Sequence, residues 1–136
     1  MNFTIEGKLS GLNEYINACR TNVHKANKLK KDNQSTIKIA VLLAHLKPVT
    51  KYPVTLNITF YEPNMKRDVD NVGFGAKFIL DALVGLGILE NDNQSHVSGI
   101  SYEVKCDKYY PRIEVTINEL NRHDNGCSDR RTTEAE

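Results

Sequence analysis

The chain lacks the features that mark several familiar classes of protein. Its 136 residues contain no run of about 18 apolar residues, which excludes a membrane-spanning helix and hence a membrane partner of that kind. The opening Met1-Asn2-Phe3-Thr4-Ile5-Glu6-Gly7-Lys8 lacks the apolar stretch of a secretory leader, so a cytoplasmic protein is expected. Only three cysteines occur (Cys19, Cys106, Cys127), and their odd number and wide scatter fit a reducing compartment better than a disulfide framework. The four histidines, His24, His45, His96 and His123, show no zinc-site spacing with one another or with those cysteines. Gly73-x-Gly75 lacks the further glycine and lysine of a phosphate-binding loop, so no small-molecule cofactor is expected.

What is present fits one small domain. The chain is 40% hydrophobic and 26% charged, ordinary values for a single globular core. Its net charge of +1 conceals an asymmetry, because residues 1–52 sum to +6 and residues 53–136 to −5. A basic half suits a polyanion and an acidic half suits a metal, although both patterns also describe ordinary solvated faces.

Periodicity places the elements. Residues 2–6 alternate weakly as a short strand. Leu12, Tyr15, Ile16, Cys19, Val23, Ala26 and Leu29 recur at helical spacing, with an interruption expected at Asp32-Asn33-Gln34-Ser35 before a helical stretch to Leu46. Residues 54–61 alternate with period two and form the clearest strand. A helix with Val72, Ala76, Ile79, Leu83 and Leu86 on its buried face follows, then strands near 97–105 and 112–118. Residues 119–136 are polar and aperiodic, and are expected to be a disordered tail after a domain at 1–118.

Asp68-Val69-Asp70 is the most informative tripeptide. In extended backbone both carboxylates would face one side, and a divalent cation is a common reason to tolerate two like charges together. The competing role is capping of the helix that follows. Asn71 is placed to cap that helix or to orient an aspartate. Lys77 lies two turns beyond Asp70 on the same helical face, or alternatively pairs with Asp81. Asp92 is a third acid, or an ordinary turn residue.

Asp68-x-Asp70-Asn71, then Lys77, Asp81-Ala82-Leu83, Gly87 and Asp92, resembles the RusA family of Holliday-junction resolvases. The similarity spans residues 3–118, and its specific part is 66–94. Two departures stand out. Lys77 falls about three residues, or ~4.5 Å of helix, further along than in the family pattern, and Asn91-Asp92 replaces a frequent pair of acids. The resemblance implies an α+β fold, a small mixed β-sheet of about four strands with two to three helices against it. It implies that Asp68, Asp70 and Asp92 hold Mg²⁺, or Mn²⁺, and that Lys77 supports them in catalysis. It also implies a homodimer, often phage- or prophage-encoded and acting in a bacterial host cell, that cuts four-way DNA junctions in recombination and repair. A branched-DNA-binding protein of the same fold that no longer cuts is the alternative. Arg20, Lys25, Lys28, Lys30, Lys31, Lys66 and Arg67 are the candidate DNA phosphate contacts.

One geometric question stays open. A helix over 71–85 is about 22 Å long, and seven extended residues span at most about 25 Å. Asp92 would therefore only just return to its own Asp68 and Asp70, and a two-fold partner could supply it instead.

Overall fold

The computed structural model describes residues 1–119, so the tail expected at 119–136 lies outside the described residues except for Glu119. The fold is α+β. Four strands, β1 (Asn2–Glu6), β2 (Val54–Glu62), β3 (Val97–Cys106) and β4 (Arg112–Glu119), form one mixed sheet in the order β1-β4-β2-β3. β4 runs antiparallel to both β1 and β2, whereas β3 runs parallel to β2. The strand boundaries agree with the alternation in the sequence to within one residue.

The alternation also fixes which face is covered. Leu56, Ile58 and Phe60 of β2, Ile113, Val115 and Ile117 of β4, and Phe3 and Ile5 of β1 all point into the core. They meet two long helices, α2 (Val23–Leu43) through Ile37, Ala40 and Val41, and α4 (Gly75–Gly85) through Phe78, Ile79, Ala82 and Leu83. Full burial of a side chain such as Phe78 contributes roughly 1.5–3 kcal/mol. The opposite phase of the strands is polar, with Thr55, Asn57, Thr59, Glu114 and Thr116 on the other face.

Two helix boundaries depart from the sequence expectation. The helix begun at Leu12 stops at Thr21, giving α1 (Leu12–Thr21), and α2 then runs unbroken through Asp32-Asn33-Gln34-Ser35. Asn22 makes the break, since its side chain accepts the Lys25 N–H at 2.8 Å and caps α2. Asn33 does not interrupt the helix, because its amide has partners inside the fold. It accepts the Ser10 N–H at 2.8 Å and donates to Ser10 Oγ and to the Leu29 carbonyl. The helix expected over 71–85 is also divided, into α3 (Val69–Gly73) and α4, with Phe74 at the joint. Phe74 stacks on Tyr15 and meets Phe78 edge-on, so aromatic packing holds the joint.

Among the described residues, no helix is long and apolar enough to cross a membrane.

Candidate metal and nucleic acid site

The chain leaves the end of β2 at Glu62 and reaches Asp68 through a loop that Arg67 fixes. Glu62 sits at the buried phase of β2, 4% exposed, where a carboxylate needs a partner. Arg67 supplies it as a fork, with Nε and Nη2 each 2.9 Å from a Glu62 oxygen. Its Nη1 donates to Glu14 at 3.1 Å and to the Leu9 carbonyl at 3.3 Å. The hydrogen bond to Glu62 is the main cause that raises the Arg67 pKa above its ordinary value. Glu14 in turn accepts the Gly11 N–H at 2.8 Å, at the start of α1. Arg67 is therefore a clamp between β2, the 7–11 loop and α1, and its guanidinium is turned inward, away from any external phosphate.

Beyond the clamp the two acids stand exposed. Asp68 occupies the N-cap position of α3 with extended backbone, φ −67° and ψ 155°, yet its side chain makes no cap hydrogen bond among the described residues. Asp70 lies in the first turn, where its Oδ1 accepts the Asn71 N–H at 2.9 Å. The strand-like alignment expected for Asp68 and Asp70 thus gives way to a junction between extended and helical backbone. Asn71 neither caps α3 nor holds an aspartate with its amide. Its Oδ1 instead accepts the Asn13 N–H at 2.9 Å, which ties α3 to the first turn of α1.

Lys77, on α4, takes the alternative role anticipated for it and pairs with Asp81 at 3.3 Å. The pair is exposed on the lysine side (61%), so it is easily exchanged for another anion. Asp81 also lines a cleft between α2 and α4 together with Lys31, Gln34 and Lys38. The structure thereby sets Lys31 and Lys38 of α2 in one groove with Asp81, the partner of Lys77. Lys25 and Lys28 lie on the same helix, exposed, with Lys28 2.9 Å from Asp32. Lys30 turns the other way and lies 5.8 Å from the centre of the Tyr15 ring. Arg20, in the last turn of α1, and Lys66, in the loop before Arg67, are exposed.

Asp92 is not with the other two acids. It lies in the loop between α4 and β3, docked against the start of β2 by the Glu90 N–H on Tyr52 Oη (2.9 Å) and by the Val54 N–H on the His96 carbonyl (2.8 Å). Asp68 and Asp70 follow the other end of β2, so the two groups lie toward opposite ends of that strand. Among the described residues, no three His, Cys, Asp or Glu side chains converge as metal ligands.

Sequence reasoning missed Glu62 and Asn33 as organisers of this region. Glu62 carried a signal: it continues the buried phase Val54, Leu56, Ile58, Phe60 and precedes an arginine by five residues. Tyr102 and Gly73 were also missed. A Cβ on Gly73 would overlap the Tyr102 ring, so α3 rests directly on β3. Nothing in the local sequence marks a contact between residues so far apart.

No protein-family model matches the chain, and no curated protein matches it.

Proposed function

We propose that the protein is a Mg²⁺-dependent, structure-selective endodeoxyribonuclease that resolves four-way DNA junctions by paired phosphodiester cleavage as a homodimer. The observation that carries the reading is the state of Asp68: an exposed carboxylate in a helix-cap position that does not cap, two residues from a second exposed carboxylate. Helix capping, the ordinary reason for an acid there, leaves Asp68 unexplained. Together with the RusA-like order Asp68, Asp70, Asn71, Lys77, Asp92, the pair fits a cation held by one or two carboxylates.

In this reading Asp68 and Asp70 hold the ion. Mg²⁺, or Mn²⁺, when bound, supplies an activated water and neutralises charge developing on the phosphoryl group and the leaving O3′. Lys77 exchanges Asp81 for a substrate phosphate and adds positive charge beside it. The lysines of α2 with Arg20 and Lys66 contact flanking phosphates. Arg67 fixes the loop that presents the acids. A two-fold dimer presents two such sites to the two symmetric strands of a junction. The competing reading, a branched-DNA binder that does not cut, draws on the separation of Asp92 from the acid pair.

A junction-cleavage assay with Mg²⁺ or EDTA, comparing wild type with Asp70→Asn, tests the proposal. Paired nicks that require metal and vanish in the variant, with junction binding retained, are expected. Binding without cleavage in Mg²⁺ and in Mn²⁺ would replace the enzyme by the binder.

A further inference from the structure

A short arch crosses the end of the sheet that carries Asp68 and Asp70. β2 has β4 on one side and β3 on the other, so residues 107–111, which join β3 to β4, pass over the end of β2 from which the acid loop departs. The contact is direct, because the Asp107 N–H donates to the Glu62 carbonyl at 2.8 Å. The arch is pinned along its length. Asp107 Oδ1 accepts the Tyr109 and Tyr110 N–H groups, each at 3.1 Å, and its Oδ2 accepts from Arg112 at 2.8 Å. The Arg112 guanidinium lies over two rings, 3.8 Å from the centre of Tyr61 and 4.7 Å from that of Tyr110. The Tyr110 hydroxyl donates to Glu6, and the Gly7 N–H bonds the Pro111 carbonyl at 3.0 Å.

The side chain of Tyr109 takes no part in this packing. It is 90% exposed, and Met65, in the loop that leaves β2, is 88% exposed. These are the two most exposed large apolar side chains among the described residues, and both stand at this one end of the sheet. A ring on backbone that is already fixed loses little freedom when it is covered, so the arch presents Tyr109 ready for contact. The Lys108 ammonium lies 5.8 Å from the centre of the Tyr109 ring, and Lys8 and Lys66 are exposed on the adjoining segments. A protein partner calls for a continuous apolar patch. A single bare ring with ammonium groups about it fits a nucleotide instead, the base for the ring and the phosphate for the cation.

We propose that Tyr109 stacks on a nucleobase whose face is open, while Lys108 contacts the adjoining phosphate, and that this contact separates branched DNA from continuous duplex. The branched substrate rests on the nuclease reading; the stacking on an open base does not. Inside a duplex every base is covered by its neighbours, and Tyr109 finds a face there only at the cost of unstacking them. At the exchange point of an open junction the terminal base pairs present a face without that cost. The lysines of α2 and Lys77 address phosphates, which every duplex carries, so they do not read the branch. Tyr109 does. Because the arch shares its end of the sheet with the acid loop, a base held on Tyr109 brings the branch to the side of the molecule where Asp68 and Asp70 stand exposed.

Binding in EDTA isolates stacking from cleavage. A four-way junction and a linear duplex of the same arm sequence are titrated with wild type, Tyr109→Phe and Tyr109→Leu. Tyr109→Phe is expected to keep the junction affinity. Tyr109→Leu, apolar but without a π face, is expected to bind the junction roughly tenfold more weakly and the duplex as before. Unchanged junction affinity in Tyr109→Leu, or an equal loss on both DNAs, overturns the stacking. A second measurement places 5-iodouracil at the exchange point and irradiates the wild-type complex. A crosslink to Tyr109, located by peptide mass spectrometry, is expected; crosslinks only to other residues overturn the proposal. A wild type that crosslinks through Tyr109 but cuts no junction in Mg²⁺ overturns the nuclease reading and upholds the stacking. A Tyr109→Leu variant that binds and cuts junctions as wild type does the reverse. A wild type that binds neither DNA overturns the proposal and gives the arch to a protein partner.

Discussion

The amide oxygen of Asn71 accepts the backbone N–H of Asn13 at 2.9 Å, across 58 residues of sequence. An asparagine beside the acid pair thus caps a different helix from the one it stands on. Asn71→Ala is expected to lower stability by about 1 kcal/mol, as loss of a cap does, read as a reduced urea midpoint. It should also release the first turn of α3, so junction cleavage should fall by more than unfolding explains. Cleavage that merely tracks the folded fraction would assign Asn71 to stability alone.

The Arg67–Glu62 fork leads to a larger effect. Arg67→Ala leaves Glu62 buried without its partner, a loss of about 3 kcal/mol or more by analogy with broken buried pairs. Arg67→Lys is expected to rescue little, because a single ammonium cannot replace two parallel N–H donors. Chemical denaturation measures both.

Lysines of α2 should act on binding with little effect on stability. Replacing Lys25 and Lys31 with glutamine is expected to reduce the slope of log affinity against log salt by about 0.9 for each duplex phosphate that is no longer neutralised. An unchanged slope and affinity would make the row a solubilising face.

Asp107 supplies a pH signature. The hydrogen bond from Arg112 at 2.8 Å, helped by the Tyr110 and Tyr109 N–H groups, holds its carboxyl below the ordinary value. A carboxyl with a lowered folded-state pKa stabilises the fold above its unfolded pKa, and that contribution fades as pH falls through the folded value. Asp107→Asn should therefore be less stable than wild type at pH 7, and the difference should begin to shrink as pH falls below about 4 and close only below the lowered folded value. Thermal melts across that range are the measurement.

Most of the fold was legible because its strands alternate cleanly: Leu56, Ile58 and Phe60 announce both β2 and its buried face. The helix boundaries were less so. Asn22 and Asn33 are the same residue type in a polar stretch, and only tertiary partners decide that one caps a helix while the other lies inside one. The candidate acids Asp68 and Asp70 could be read from their spacing. Arg67 could be set apart from Lys66 only through Glu62, five residues earlier in the buried phase of β2; its further contacts, Glu14 and Leu9, lie more than fifty residues away. The separation from Asp92 was foreshadowed by helix length, but the parallel pairing of β2 with β3 is what sets the loop carrying Asp92 at the opposite end of the sheet.

The seat of Gly73 on the Tyr102 ring gives the edge strand a lever on the acids. Tyr102 lies on the helix-facing side of β3, partly exposed at the sheet edge, and its ring supports α3 three residues after Asp70, so whatever steadies that ring steadies the turn carrying the carboxylates. Linkage makes such a coupling reciprocal: if dimer formation steadies that turn and so favours the cation, the cation must favour the dimer by the same factor. Self-association measured by sedimentation should then tighten with added Mg²⁺, and the apparent metal affinity should rise with protein concentration.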